Sequence, residues 1–262
     1  MHAFDLERPS TVAEAATALG KDGAQALGGG QTLIPTLKQR LASPEKLISL
    51  AGIADMKSFS ADKSVVRVGG GATHATVAAK AASSYPALAA MAGRIGDPAV
   101  RNRGTVGGSL ANNDPAACYP AAALASNAVI ATQKREISAD DFFQGMFATA
   151  LDEGEIIVEV RFPVPQAANY QKFLQPASRF ALVGVFVAKH ADGVRVAVTG
   201  ASNDGVFRWK EAETALTSNF SAGALDGLSV KPDDMISDLH GTPEYRAHLV
   251  KVMTGRAVKA AA

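Results

Sequence analysis

Two glycine-rich loops, far apart in the sequence, carry the residue types best suited to hold a charged ligand. The first loop covers residues 28–33, with the sequence GGGQTL, and lies between a short apolar stretch and Pro35, which opens a helix. Glycines let the backbone approach a ligand closely and let successive N–H groups point the same way, which creates an anion site. Each hydrogen bond to a charged group contributes about 1.5–3 kcal/mol. Several of them suffice for a pyrophosphate without a lysine.

The second loop covers residues 104–109, with the sequence GTVGGS, and repeats this pattern. Its glycines free the backbone, while the hydroxyls of Thr105 and Ser109 are donors for phosphate or ribityl oxygens. Two such loops indicate one extended ligand bound from both sides. The alternative for either loop is a tight turn that binds nothing.

Charged residues surround the second loop. Arg101 and Arg103 are candidate anion ligands, and the alternative is that they are solvated or bridge a chain contact. Asp97 and Asp114 are expected to fix loops as hydrogen-bond acceptors rather than to act as acid–base groups. We identify no catalytic set of side chains in the sequence.

Two familiar nucleotide motifs are absent. A P-loop ends in Gly-Lys-Ser/Thr, and no such sequence occurs in the chain. The dinucleotide fingerprint G-x-G-x-x-G is also not matched, because Gly69 and Gly71 are followed by His74 where the third glycine is required. For this histidine, which begins a predicted helix, we expect a structural role.

The elements that position these loops form three predicted units. Thr11 and Glu14 predict a capping box for a helix in an N-terminal lobe of residues 1–55. A second lobe of residues 56–165 contains Ala-rich helices and a strand whose alternation places Val158 on the core face and Ile157 on the polar face. Residues 170–262 predict an α+β domain with a three-stranded antiparallel sheet and helices.

Composition excludes several classes of function. The chain has 262 residues with 26 basic and 25 acidic side chains, which disfavours a nucleic-acid surface. The sequence has no apolar run of the roughly 18 residues that a membrane span needs and no signal-peptide pattern, so we expect a cytoplasmic protein. One cysteine, Cys118, cannot hold an iron–sulfur cluster, and the five histidines lack metal-ligand spacing. We therefore predict that the protein has no metal site of its own.

Four segments in order, ALGGGQTLIPTLKQRLASPEKLISL, VGGGATH, IGDPAVRNRGTVGGSLANNDP and EIIVEVRFP, resemble the FAD-binding medium subunits of molybdenum hydroxylases. This group contains the carbon monoxide dehydrogenase medium chains and is similar to the FAD domain of xanthine dehydrogenase. The resemblance covers nearly the whole chain. It implies the vanillyl-alcohol-oxidase-type FAD fold of two α+β lobes with a smaller C-terminal domain, and non-covalent FAD as the cofactor.

Position by position, the resemblance implies a set of cofactor-binding residues. The pyrophosphate would lie on the first loop, the second loop would lie on the other side of the cofactor, and further residues would approach the flavin, ribityl chain or adenine. The implied residues are Gly28, Gly29, Gly30, Gln31, Thr32, Leu33, Ala72, Thr73, Ile95, Gly96, Gly104, Thr105, Gly107, Gly108, Ser109, Ala111, Asp114 and Ile157.

Two positions depart from the family pattern. Members commonly have an aspartate where this chain has Cys118. Many also have a basic residue in the segment that reads FLQPASR here, where Lys172 and Arg179 flank the position but neither matches it. Both departures bear on the affinity for FAD.

The resemblance implies an oxidoreductase subunit that takes electrons from 2Fe–2S clusters and passes them to an external acceptor. The molybdopterin would lie on a large subunit and the 2Fe–2S clusters on a small one, and the resemblance implies a dimer of heterotrimers. Carbon monoxide, aldehydes, purines and N-heterocycles stay open as substrates, and NAD, quinones, cytochromes and oxygen as acceptors. Two alternatives remain, a stand-alone FAD-dependent oxidoreductase of the same fold and a scaffold that has lost FAD.

Overall fold

A three-stranded parallel sheet organises the N-terminal part of the computed structural model, which describes residues 1–261. The strand order is β1-β3-β2, so β2 is an edge strand that leads directly into the first glycine loop. Helix α1 packs on this sheet through buried Ala15, Ala18 and Leu19. The elements are β1 (Asp5–Glu7), α1 (Val12–Leu19), β2 (Ala24–Leu27), α2 (Leu33–Lys38) and β3 (Lys46–Ser49), followed by 3-10 turns at Leu50–Gly52 and Asp55–Lys57.

The predicted capping box at the start of α1 is half present. Thr11 Oγ1 accepts a hydrogen bond from the backbone N–H of Glu14 at 3.2 Å, as predicted. The Glu14 carboxylate, however, accepts from the N–H and hydroxyl of Ser10, at 2.8 and 2.9 Å, instead of from Thr11. The serine one residue earlier offers two donors, so it satisfies the carboxylate better than the single N–H of Thr11.

A five-stranded antiparallel sheet, in the order β4-β5-β10-β6-β7, forms the second part of the chain. Six helices lie between β5 and β10 in sequence, and of these α6 packs against β5 and β10 and α8 against β6 and β7. The elements are β4 (Phe59–Ala61), β5 (Val65–Gly69), α3 (His74–Lys80), α4 (Pro86–Gly93), α5 (Pro98–Arg101), α6 (Val106–Asn112), α7 (Cys118–Ala125), β6 (Val129–Thr132), β7 (Glu136–Ser138), α8 (Ala139–Phe142), β8 (Phe143–Gly145), β9 (Ala148–Thr149) and β10 (Ile157–Pro163).

Strand β10 contains an irregularity that the alternating sequence pattern does not predict. Its pairing with β6 changes register between Ile157 and Glu159. Ile157 consequently lies in the same buried core as Val160 and Phe162, whereas Val158 is half-buried outside it. The predicted face assignment of Ile157 and Val158 is therefore wrong, because an extra residue in one strand reverses the alternation.

The C-terminal part contains a four-stranded antiparallel sheet in the order β11-β12-β13-β14. The three-stranded sheet predicted from sequence misses β14, a four-residue strand that follows a tight turn at Asn203 and Asp204. Gly205 begins β14 with a φ of +89°, a conformation that side chains other than glycine rarely adopt. The elements are β11 (Ala167–Leu174), β12 (Ala181–His190), β13 (Gly193–Ser202), β14 (Gly205–Arg208), α9 (Lys210–Ser218), a 3-10 turn at Ala222–Leu225 and α10 (Pro243–Ala261).

Both faces of this last sheet are covered, which explains its long apolar strands. One face packs against α9 and α10 through residues such as Val185 and Val196. The other face packs against the Ala-rich helix α7, where all eight residues are buried. Small alanine side chains let the helix backbone approach the sheet closely. In the part of the chain that the structure describes, no helix has both the length and the apolar character to cross a membrane.

Candidate functional site

The first glycine loop presents a row of backbone donors that the chain itself does not use. Among residues 1–261, the N–H groups of residues 28–33 find no hydrogen-bond acceptor. Gly30 has a φ of +74°, which turns the chain from β2 towards α2, and its carbonyl accepts the N–H of Ile34 at 3.1 Å. The loop is half-buried to exposed. A run of free N–H groups at the start of α2 is the arrangement that binds anions.

The second glycine loop differs, because the N–H groups of residues 104 and 106–109 are bonded within the chain and, among residues 1–261, only that of Thr105 finds no acceptor. Val106 N–H donates to Ala72 O at 3.1 Å and Gly107 N–H to Gly70 O at 2.8 Å. Gly108 N–H donates to Thr105 Oγ1 at 3.1 Å, so Thr105 caps helix α6. The loop is therefore tied to the segment after β5 and does not offer a second row of free donors.

The two loops lie in direct contact, a feature that the sequence does not predict. A Cβ atom placed on Gly29 would lie 2.0 Å from the carbonyl oxygen of Arg103 and 2.7 Å from the Cα atom of Gly104. A Cβ atom on Gly28 would lie 3.1 Å from Thr105 Oγ1. Only a glycine at position 29 allows the two backbones to approach this closely.

A third segment, residues 69–73, completes this arrangement. The backbone of Thr73 pairs with that of Thr105 in an isolated antiparallel bridge, with His74 N–H donating to Gly104 O at 3.0 Å. A Cβ atom on Gly70 would lie 2.0 Å from Ile157 O, so this segment also packs against β10. In the sequence, the glycines of this segment fail the dinucleotide motif and form part of the family-like segment VGGGATH. Their role in supporting the second loop depends on a long-range contact.

Ile95 and Gly96 are held by arginine side chains. Arg101 donates to Ile95 O at 3.0 Å and to Gly96 O at 2.8 Å, and Arg179 reaches Gly96 O at 3.4 Å. Arg101 thus bridges a chain contact, which was the alternative to an anion ligand. Within residues 1–261 the Arg103 side chain makes no hydrogen bond or ion pair, so both interpretations of Arg103 stay open.

The predicted roles of the two aspartates as loop-fixing acceptors are confirmed. Asp97 Oδ1 accepts from Val100 N–H at 2.8 Å and caps α5. Asp114 Oδ1 accepts from Ala116 N–H at 2.8 Å in the turn before α7. Ala111 lies exposed on α6.

His74 is buried behind the second loop and is 5 % exposed. Burial lowers the pKa of its imidazole to about 4, and the nearby positive charge of Arg101 is the second cause. A Cβ atom on Gly104 would lie 2.5 Å from His74 Nε2, and the ring lies 5.3 Å from the ring of Tyr119. The imidazole is therefore a neutral packing group at physiological pH, which agrees with the structural role expected for it.

Similarity to known proteins is extensive. The family described as FAD binding domain in molybdopterin dehydrogenase matches residues 2–165. The chain is 34% identical over 267 residues to the nicotine 6-hydroxylase medium subunit of Paenarthrobacter nicotinovorans, covering 95% of this chain and 94% of that protein. It is 30% identical to the carbon monoxide dehydrogenase medium chain of Hydrogenophaga pseudoflava, covering 98% and 96% respectively.

Solved structures give the same result. The fold superposes on a chain of reconstituted CO dehydrogenase from Oligotropha carboxidovorans with a TM-score of 0.89 at 29% identity, covering 99% of this chain and 98% of that chain. It superposes on a chain of quinoline 2-oxidoreductase from Pseudomonas putida 86 with a TM-score of 0.87 at 28% identity, covering 99% and 97%.

Proposed function

The chain belongs to the family of FAD-binding domains of molybdopterin dehydrogenases, and from this membership we propose how it works as an oxidoreductase subunit. It is an FAD-binding medium subunit of the molybdenum hydroxylase type. In the proposed route, electrons reach it from 2Fe–2S clusters on a partner subunit and leave to an external acceptor. The bound FAD supplies the redox chemistry, and the protein binds, orients and shields it.

The observation that carries this proposal is the row of free N–H groups in residues 28–33. These donors lie at the start of a helix, in contact with a second loop that is rigidly tied to the core. A pyrophosphate needs several donors and no lysine if the N–H groups converge. The arrangement therefore fits the diphosphate of FAD, with about 1.5–3 kcal/mol for each charged hydrogen bond.

The contacts of individual residues with FAD belong to the proposal. The free donors support a position of the pyrophosphate on residues 28–33, and the contact of Gly28 with Thr105 Oγ1 supports a position for residues 104–109 beside it. Ala72 and Thr73 adjoin the second loop through the Thr73–Thr105 bridge. For Ile95, Gly96, Ala111, Asp114 and Ile157, the proposed contacts rest on the family resemblance alone.

The assembly is also part of the proposal. We expect a large molybdopterin-binding subunit and a small 2Fe–2S subunit as partners, arranged as a dimer of heterotrimers. Residues 1–55 and 56–165 would be the two lobes around FAD, and residues 170–262 the C-terminal domain. The relatives' names, medium subunit and medium chain, support a multi-subunit complex.

The test is FAD binding by the full chain, alone and co-expressed with its partners. We expect a flavin absorption spectrum and release of intact FAD on denaturation. A chain that stays colourless after FAD titration, both alone and in the co-expressed complex, would overturn the proposal.

A further inference from the structure

Cys118, one of the two departures from the family pattern, lies in the structure beside Lys172, which flanks the other departure. Cys118 begins α7, and Lys172 lies in β11 on the neighbouring sheet. The Nζ atom of Lys172 lies 3.6 Å from the Sγ atom of Cys118. Both residues are buried, with exposed fractions of 5% for Cys118 and 6% for Lys172. The buried amine of Lys172 is therefore in contact with the thiol of Cys118.

Lys172 lacks the partner that a buried ammonium group normally has. None of the ion pairs among residues 1–261 includes it. Its other contacts are neutral, because Nζ donates to the carbonyl oxygens of Arg94 and Arg179 at 2.9 Å each. A buried charge that is not neutralised is costly. A reaction that removes the positive charge of Lys172 therefore also removes this free-energy cost.

A third side chain marks the same place. The Tyr170 hydroxyl is buried beside Cys118 and has no hydrogen-bond partner of good geometry among residues 1–261. Burial, followed by the influence of Cys118, raises the pKa of this phenol well above its usual range. It is therefore a protonated donor in need of an acceptor. An oxygen atom added at Sγ would supply that acceptor.

From this cluster, we propose that Cys118 and Lys172 form a covalent nitrogen–oxygen–sulfur bridge with dioxygen as the oxidant. The Lys172 ammonium first releases one proton, the thiol and the resulting neutral amine then each lose one hydrogen, and one oxygen atom is inserted between Sγ and Nζ. The second oxygen atom leaves as water, so that RSH + R′NH2 + O2 gives RS–O–NHR′ + H2O. Sulfur and nitrogen each give up an electron pair, and dioxygen accepts all of these electrons.

Geometry favours the bridge over a direct sulfur–nitrogen bond. The two atoms are within hydrogen-bonding range already, and one inserted atom spans most of the gap. The bridged nitrogen keeps a single N–H, so Lys172 retains at most one of its bonds to Arg94 O and Arg179 O. The modification thus removes a buried positive charge and releases one backbone carbonyl.

The test uses the full chain, purified without oxygen and then exposed to air. Because the chain contains one cysteine, thiol titration after denaturation reports on Cys118 alone. We expect loss of the thiol, a mass gain of one oxygen less two hydrogens, and one cross-linked peptide pair containing residues 118 and 172. A dithiol reductant is expected to restore the thiol and the original mass.

Other outcomes would overturn the bridge. A thiol that survives prolonged exposure to air, a mass gain of whole oxygen atoms without loss of hydrogen, or a disulfide-linked dimer would each do so. Lys172→Met is expected to abolish the cross-link, and the same mass change in this variant would also contradict the proposal. The comparison of the wild-type chain before and after air keeps the test valid if that variant does not fold. None of these readouts depends on FAD.

Discussion

In the loop of residues 28–33 the backbone N–H groups have no acceptor among residues 1–261, whereas in the loop of residues 104–109 the N–H groups of residues 106–109 all bond within the chain. Both loops are rich in glycine and precede a helix, yet the first leaves its N–H groups open and the second uses most of its own for packing. The glycines of the first loop leave donors open. Those of the second loop allow close contact between backbones, as between Gly107 and Gly70.

This difference shows that glycine content alone does not identify a binding loop. A binding loop is distinguished by N–H groups that have no acceptor within the chain, since each buried or half-buried donor must find an acceptor. In the second loop the acceptors are carbonyls of residues 70 and 72 on another segment. In the first loop the acceptor has to come from a ligand or from solvent. Variants that act on one loop only can test this division.

The largest effect is expected at the contact between the loops. In Gly29→Ala the new Cβ atom would lie 2.0 Å from Arg103 O and 2.7 Å from Gly104 Cα, and both of these are backbone atoms that cannot rotate away. We expect loss of FAD binding and a decrease of about 3 kcal/mol or more in the free energy of unfolding, the upper range for overpacking. Chemical denaturation and the ratio of FAD to protein measure the two effects.

Gly227→Ala serves as the matched control for Gly29→Ala, because its Cβ atom enters open space. It is expected to keep both FAD and stability. Normal FAD content in Gly29→Ala would show that the loops need not touch for binding.

The free energy of unfolding is expected to depend on pH through His74, which is buried behind the second loop. The imidazole takes up a proton below its ordinary pKa of 6.5 in the unfolded chain but only below about 4 in the folded protein. The unfolded chain therefore binds more protons between these values. The free energy of unfolding should fall as the pH drops from 6.5 towards 4, by about 3 kcal/mol in total.

Urea denaturation of the wild-type chain and of His74→Gln at a series of pH values separates this contribution. Carboxylates lose their stabilising contribution mainly below their own ordinary pKa of about 4, so the range above pH 4.5 isolates the histidine. Equal slopes for the two proteins in this range would mean that His74 does not cause the pH dependence.

The contrast between the loops becomes sharper when one glycine in each is changed to alanine. In Gly107→Ala the new Cβ atom would lie 2.7 Å from Gly70 O, so we expect destabilisation by about 2 kcal/mol from overpacking. In Gly28→Ala the nearest atom is Thr105 Oγ1 at 3.1 Å, a side-chain atom that can shift. We expect this variant to fold with little loss of stability and to bind FAD more weakly.

Thermal denaturation and FAD titration of both variants provide the measurement. If Gly28→Ala were the less stable variant and Gly107→Ala the weaker binder, the assignment of one loop to binding and the other to packing would be reversed.

The sequence predicts those parts of the site that depend on local patterns. It predicts the helix after the first glycine loop and the roles of Asp97 and Asp114 as acceptors within their own turns, because caps and turns are determined by neighbouring residues. It does not predict the short helices after Asp97 and after the second loop. The sequence does not predict that the second loop uses its own N–H groups, since the acceptors lie on a distant segment. The reversed faces of Ile157 and Val158 and the short strand β14 were likewise missed, because a bulge and a turn interrupt simple alternation.

The smallest effect is expected at Thr105, which belongs to the second loop and contacts the first. Its hydroxyl accepts from Gly108 N–H at 3.1 Å and lies next to Gly28. Thr105→Val keeps the shape of the side chain but removes the cap, so we expect a loss of about 1 kcal/mol in stability. Thr105→Ser keeps the hydroxyl and is the control. If Thr105 only supports packing, FAD affinity should fall in proportion to stability in both variants. If Thr105→Val instead loses more affinity for FAD than its loss of stability explains, and Thr105→Ser restores that affinity, then this hydroxyl also binds the cofactor. The second loop would then serve both packing and FAD binding.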